Sequence, residues 1–270
     1  MDAFTEFEHE GWERVAGKYD SVWASSTRQF IAPLLDAAEV GEGMAVLDVG
    51  CGPGYVSGAA SERGATALGV DFSREMVGIA QRMFPRIEFR EGDAQKLAFP
   101  DQTFDRVLAN FALLHLTNPE HACAEACRVL KPGGKFGFTT WARIEENPFV
   151  KLVDDAIQAH ANLEVSLPPG PPYYLFESPE EFRAAVERAG FDGSTMTFKV
   201  HRIEWQVPTA RFVFDAERNA GVRTAGLLAR QTSEALEAIQ AAIERGMRVY
   251  ARGDGFAIPK AAYVVAVRRA

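Results

Sequence analysis

Three observations predict an α/β fold, a doubly wound sheet with helices on both faces. Residues 45–141 alternate short apolar runs with segments of helical periodicity through five strand-like stretches. That is the pattern of a parallel sheet whose crossovers are helices. The first run, AVLDVGCGPGYVS at residues 45–57, passes directly into glycines at alternate positions and then into a helix-compatible segment. Amphipathic segments before this stretch and after it add helical caps to the sheet.

The first strand and its turn come first in the argument. Glycine lets a backbone approach a ligand closely and adopt positive φ. Gly50, Gly52 and Gly54 at a strand-to-helix turn therefore make a floor for a nucleotide-type cofactor. Asp48, a carboxylate inside a buried strand, needs a partner to be tolerated there and reads as a brace for the turn. A dinucleotide fingerprint spaces its glycines G-x-G-x-x-G. Here the third position is Tyr55, which disfavours a nicotinamide-dependent oxidoreductase; a turn serving packing alone is the other alternative.

The remaining elements follow in order. Residues 2–44 read as helices, with Phe30, Ile31, Leu34, Leu35 and Ala38 at helical spacing. Trp12, Tyr19 and Trp23 in this segment either close over a cofactor or pack the helices. The second strand, residues 66–71, ends in Asp71, 21 positions after Gly50. An acid at that point meets a ribose diol or caps the helix at residues 73–83. Residues 87–90 form the third strand, and Gly92-Asp93-Ala94 follows. Asp93 either accepts from an amino group of a base or makes an Asx-type turn. A turn at residues 99–105 leads to the fourth strand, 106–109. At its carboxyl end, where open α/β sheets place ligands, stands NFALLHL at residues 110–116. Asn118-Pro119 opens a helix, Lys131-Pro-Gly-Gly134 closes it, and residues 135–140 are the fifth strand.

VLDVGCGPG resembles motif I of the class I S-adenosylmethionine-dependent methyltransferases, and FPDQTFD and RVLKPGGKFGF match further landmarks of that family in the right order. The resemblance spans the whole core and is strongest to the branch of ubiquinone- and menaquinone-biosynthesis enzymes. It implies a three-layer α/β/α fold with seven strands, the last antiparallel between the fifth and sixth. It also implies S-adenosylmethionine as cofactor and S-adenosylhomocysteine as product. The cofactor residues it carries over are Asp48, Gly50, Cys51, Gly52 and Gly54 at motif I, then Asp71, Phe72 and Met76. Gly92, Asp93 and Ala94 follow, then Asn110 and Phe111, with Tyr19 of the Tyr19-Asp20 pair from the helices before the core. His115 is the candidate base for a phenolic or enolic acceptor; packing beside Leu113, Leu114 and Leu116 is its alternative role.

Beyond the core the sequence divides as follows. Residues 1–44 are a helical cap, 45–141 the cofactor-binding core, and 142–177 an irregular, proline-rich insertion. Residues 178–207 continue the core, 208–256 are a second helical cap, and 257–270 the last core strand. Prolines at 168, 169, 171 and 172 make a stiff segment. Tyr173, Tyr174 and Phe176 after it line an apolar pocket or pack on the core. Ser178-Pro-Glu-Glu181 is a capping box. Residues 195–205 and 261–267 are the sixth and last strands. Arg211, Arg218, Arg223 and Arg230 make either an anion site or a solvated face.

Composition narrows the partners. Lys and Arg number 29 against 37 Asp and Glu, a net charge of −8. No long basic run is present, which argues against nucleic acid as a partner. Cys51, Cys123 and Cys127 make neither a disulfide framework nor a CxxC pair, and no metal site is expected. No apolar run approaches a membrane span, and a cytoplasmic setting follows. The expected activity is methyl transfer to the O, N or C nucleophile of a small molecule, aromatic or quinone-like. A non-catalytic S-adenosylmethionine-binding protein is the alternative, because fold alone does not fix activity. The sequence leaves the acceptor and the oligomeric state open.

Overall fold

The computed structural model describes residues 2–172, 174 and 178–270. Among these, eight strands pair: β1 (Ala45–Val49), β2 (Thr66–Asp71), β3 (Glu88–Glu91), β4 (Phe104–Asn110), β5 (Leu130–Trp141), β6 (Phe191–Val207), β7 (Ala251–Arg252) and β8 (Gly255–Arg269). Their order is β3-β2-β1-β4-β5-β8-β6, with β7 on β8. The sheet is parallel from β3 through β5, as in Leu47↔Leu68 and Leu47↔Val107. β8 then runs antiparallel to β5, from Lys135↔Arg268 to Trp141↔Ala262. The last strand thus lies between the fifth and the sixth.

β1 lies inside this order, between β2 and β4, and four of its five residues are buried. A strand covered on both faces carries a continuous apolar run rather than an alternating one, which is why AVLDV does not alternate. The helices are α1 (Ala3–Val22), α2 (Ala24–Thr27), α3 (Ile31–Ala37), α4 (Tyr55–Glu62), α5 (Arg74–Met83), α6 (Pro119–Val129), α7 (Pro148–His160), α8 (Pro179–Arg188), α9 (Arg211–Ala220), α10 (Arg223–Leu228) and α11 (Ser233–Met247). Their starts follow the capping chemistry of the sequence. Asn118 accepts the His121 N–H at 3.1 Å ahead of α6, and Ser178 accepts that of Glu181 at 3.3 Å ahead of α8.

Several strands are longer than the apolar pattern suggests. β5 begins at Leu130 because the register slips between Phe104↔Leu130 and Arg106↔Lys135, letting the Pro-Gly-Gly turn bulge out. Gly133 takes φ 72° in that bulge. β6 begins at Phe191, directly after Gly190 at φ 96°. β8 begins at Gly255 because a tight turn with Gly253 at φ 57° folds it back on β7.

The chain forms two compact units. One comprises Met1–Ser26, Arg143–Pro169 and Arg202–Ala261; the other comprises Thr27–Ala142, Gly170–His201 and Ala262–Ala270. The first is built around Phe149, Trp205, Phe214, Ile239, Ile243 and Met247, all nearly inaccessible. Leu236, Ile239, Ile243 and Met247 share one face of α11; the last three are buried in this core and Leu236 packs against it. Asn147 ties α7 to β8 in the same unit. Its side chain accepts the Ala261 N–H at 2.9 Å and donates to the Ala261 carbonyl at 3.0 Å. The second unit holds β1 to β5 and the glycine turn. On one side of β1 its core contains Leu34, Leu35, Val46, Val56 and Leu108.

Candidate active site

The turn after β1 is a run of left-handed glycines. Gly50, Gly52 and Gly54 adopt φ 64°, 50° and 86°, a region that costs any other L-residue energy. Their surroundings differ. A Cβ on Gly50 would stand 2.4 Å from the Ala112 Cβ, and one on Gly54 2.7 Å from the Phe89 ring. A Cβ on Gly52 would meet no atom within 4 Å. The first and third glycines are needed for packing. The second borders open space.

Two buried carboxylates hold this turn from different strands. Asp71, at the end of β2, accepts the Gly52 N–H on one oxygen at 2.8 Å and the Ser73 N–H on the other at 2.9 Å. Asp48 reaches past the turn to Ser57, whose N–H and hydroxyl donate to its Oδ2 at 3.0 and 2.7 Å. The brace expected of Asp48 thus acts on the first turn of α4, and Asp71 braces the glycines. The cap of α5 is Ser73, which accepts the Met76 N–H at 3.1 Å; this corrects the reading of Asp71 as a helix cap. The Asp48 Oδ1 is buried without a hydrogen-bond partner. Burial pushes the Asp48 pKa up to about 7, against the pull of the Ser57 hydrogen bonds and with a further push from the charge of Asp71.

The other residues singled out in the sequence fall into place around this pair. The Cys51 side chain packs with Val77, Ala80 and Phe89. Burial, then the charges of Asp71 and Asp48, push its thiol well up, the direction that disfavours the thiolate. Phe72 is half-buried between Asp71 and Ser73, and Met76 is buried on α5. The Gly92 N–H donates to the Asp71 carbonyl at 2.9 Å, which sets the turn after β3 beside the end of β2. Asp93 is exposed and accepts the Gln95 N–H on Oδ1 at 2.8 Å, an Asx geometry, and Ala94 is buried next to it. Tyr19 lies on α1 in the unit of Met1–Ser26, its ring 6.1 Å from that of Trp12.

At the end of β4 the backbone is strained. Phe111 takes φ 55°, an outlier for a bulky residue. Its N–H donates to the Thr139 Oγ1 at 3.0 Å, and that hydroxyl donates to the Asn110 Oδ1 at 2.7 Å. The Asn110 Nδ2 donates in turn to the Thr27 carbonyl at 3.4 Å. His115 closes a 3₁₀ turn over Leu113–His115; its N–H donates to the Ala112 carbonyl at 3.0 Å, and its side chain is half-buried.

The sequence reasoning did not single out Ser57, Thr139 or Trp141. Thr139 and Trp141 could have been marked by their place at the carboxyl end of a parallel strand. The aromatics at 173 and 176 lie outside the described residues. Among the described residues, no group of three or more His, Cys, Asp or Glu is placed to hold a metal ion. None of the described helices is long and apolar enough to cross a membrane.

A glycine turn open at its centre, with acids at the ends of neighbouring parallel strands, defines a nucleoside-binding α/β protein. Comparison narrows the class. A family model described as a methyltransferase domain matches residues 47–138. A demethylmenaquinone methyltransferase of Renibacterium salmoninarum is 34% identical over 165 residues, which cover 58% of this chain and 70% of that protein. Its counterpart in Paenarthrobacter aurescens is 33% identical over 175 residues, 62% of this chain and 69% of the other. Among solved structures, a Haemonchus contortus N-methyltransferase bound to phosphomonomethylethanolamine and S-adenosylhomocysteine has the same fold. Its TM-score is 0.59 at 19% identity, over 100% of this chain and 61% of that one.

The chain belongs to the class I S-adenosylmethionine-dependent methyltransferase family. It is a methyltransferase whose cofactor is S-adenosylmethionine and whose product is S-adenosylhomocysteine.

Proposed function

We propose that this enzyme methylates a small planar acceptor, aromatic or quinone-like, using the carboxyl edge of β1 to β4 as its cofactor site. The observation that carries this reading is Gly52. Its α-carbon faces open space while its amide is fixed by Asp71, so backbone and ligand can approach closely. The donor set fits a nucleoside with an amino-acid tail. Each Asp71 oxygen accepts one backbone N–H, and the carboxylate, at the end of the second strand, is assigned to the ribose hydroxyls. Asp93, with its exposed carboxylate, is assigned to the adenine amino group, and Phe72, Met76 and Ala94 to the edges of the base. Gly50, Cys51, Gly52 and Gly54 form the floor with backbone atoms. Asp48 supplies a buried oxygen still lacking a donor, and Asn110 and Phe111 border the methionyl end. Tyr19 is assigned to the cofactor on the family resemblance.

Bound there, S-adenosylmethionine supplies an electrophilic sulfonium methyl. The protein's own tasks are then to align the acceptor and exclude water. His115, on the loop beside the glycine turn, is the group assigned to take the acceptor's proton at its ring nitrogen. The demethylmenaquinone methyltransferases among the relatives support an acceptor of quinone-like chemistry.

The test is ligand binding followed by mutation. S-adenosylmethionine and S-adenosylhomocysteine should raise the Tm in proportion to the logarithm of their concentration, and NAD should not. His115→Ala should lower kcat by roughly 10² to 10⁴ without changing cofactor affinity. A loss below about tenfold would return His115 to packing.

A further inference from the structure

In the aromatic group at the ends of β4 and β5, Phe111 alone has an assigned role, beside the methionyl end of the cofactor. Phe30 stands at the centre of the group. Phe111, Trp141 and His201 each meet it edge-on, at centroid distances of 5.2, 5.9 and 5.5 Å. Phe111 and Trp141 lie against each other at 4.1 Å with an interplanar angle of 27°. Phe30 and Phe111 are buried, and Trp141 is half-buried. The cluster therefore has a buried base, Phe30 and Phe111, and two half-buried rings, Trp141 and His201.

The arrangement is imposed on the chain. Phe111 is held in the left-handed region, a conformation that persists at such a residue only where its surroundings enforce it. Thr139, two residues before Trp141 on β5, supplies that enforcement through the Phe111 N–H. Strand end and loop end are thus locked so that the two rings stack. The loop bearing Phe111 also carries Ala112, the residue that abuts Gly50. The stack therefore borders the glycine turn within the same unit. Stacked rings prefer a further flat, conjugated partner to a puckered aliphatic one, by up to about tenfold in affinity per contact.

We propose that Trp141 is a specificity-determining residue on which a planar aromatic methyl acceptor stacks, with Phe111 and Phe30 as its backing. This rests on the methyltransferase reading of the same site. The experiment is equilibrium dialysis of the protein saturated with S-adenosylhomocysteine against 2-naphthol, and separately against its saturated counterpart decahydro-2-naphthol. The wild type should hold 2-naphthol about tenfold more tightly than the saturated alcohol. Trp141→Ala should abolish that preference and leave the Kd of S-adenosylhomocysteine unchanged, and Trp141→Phe should restore most of it. Equal binding of the two alcohols by the wild type, or an undiminished preference in Trp141→Ala, overturns the proposal. Failure of S-adenosylhomocysteine to bind would instead count against the cofactor reading; the two alcohols titrated against the protein alone then decide the stacking.

Discussion

The two outer glycines of the turn are filled by their neighbours and the middle one is not, which separates stability from binding residue by residue. Gly54→Ala drives a methyl group into the Phe89 ring at 2.7 Å and against Ala80 at 3.2 Å. Overpacking of this kind costs about 1–3 kcal/mol, added to the left-handed strain, so its Tm should fall by several degrees. Gly52→Ala meets only the strain, about 1–2 kcal/mol, yet its methyl enters the space in front of the turn. Its S-adenosylhomocysteine affinity, measured by calorimetry at a temperature where both variants are folded, should fall by more than its stability loss. Asp71→Ala belongs to both categories. It strips the Gly52 and Ser73 amides of a charged acceptor, so denaturant melts should show a loss of about 1.5–3 kcal/mol, and cofactor affinity should fall with it. The spacing of Asp71 from Gly50 is legible in the sequence. That its carboxylate reaches across to the glycine amide is not, because nothing in β2 says which neighbouring backbone group points at it.

At the scale of elements, the ordering of strands and helices from residue 45 to residue 141 was readable, because buried parallel strands are uniformly apolar and their helices carry explicit caps. Ends were less readable. The bulge at the Pro-Gly-Gly turn lets β5 start five residues early, and the tight turn at Gly253 lets β8 start six residues before the apolar run. The aromatic stack was invisible for a different reason. Phe30, Phe111, Trp141 and His201 come from four separate segments, and the positive φ of Phe111 has no signature in composition. Asn147 is a further instance of long-range order carried by one side chain. It is fully buried and mimics a strand neighbour for Ala261. Asn147→Ala leaves an N–H and a carbonyl of β8 without partners, and chemical denaturation should show a loss of about 2–4 kcal/mol.

At the scale of the whole molecule, one costly feature is a buried cation. Lys260 is 2% exposed, its ammonium 4.7–5.5 Å from the rings of Trp205, Phe149 and Trp23 and 3.2 Å from the Ser26 hydroxyl. Burial pushes its pKa down to about 7, with the charge of Glu217 acting in the opposite direction. Burial likewise pushes Glu217 up, against a hydrogen bond from Thr224 and the charge of Lys260. For Lys260 the unfolded chain binds the extra proton between pH 7 and the ordinary lysine value. Stability from this group therefore rises with pH across that window and is lowest below it. Thermal melts of the wild type should gain Tm from pH 7.5 to 9.5, and Lys260→Met should flatten that rise. A wild type whose Tm is level over this range would show that the three rings keep the ammonium protonated in place.

The unit that contains Lys260 is assembled from three stretches of chain, and its bonds span great sequence distances. The Trp23 indole donates to the Ala220 carbonyl, and Arg223 pairs with Glu8 at 2.9 Å. The residues before Ser26 thus wait for partners that leave the ribosome only after the β1 to β5 stretch has been synthesised. Throughout that interval α1 has an apolar face, and Glu8 has yet to meet Arg223. Nascent chains arrested near residue 200 should therefore expose this helix to protease, and chains arrested well beyond Ala261 should protect it. Any exchange of this unit between relatives must likewise move all three stretches together, since no single cut in the gene separates it.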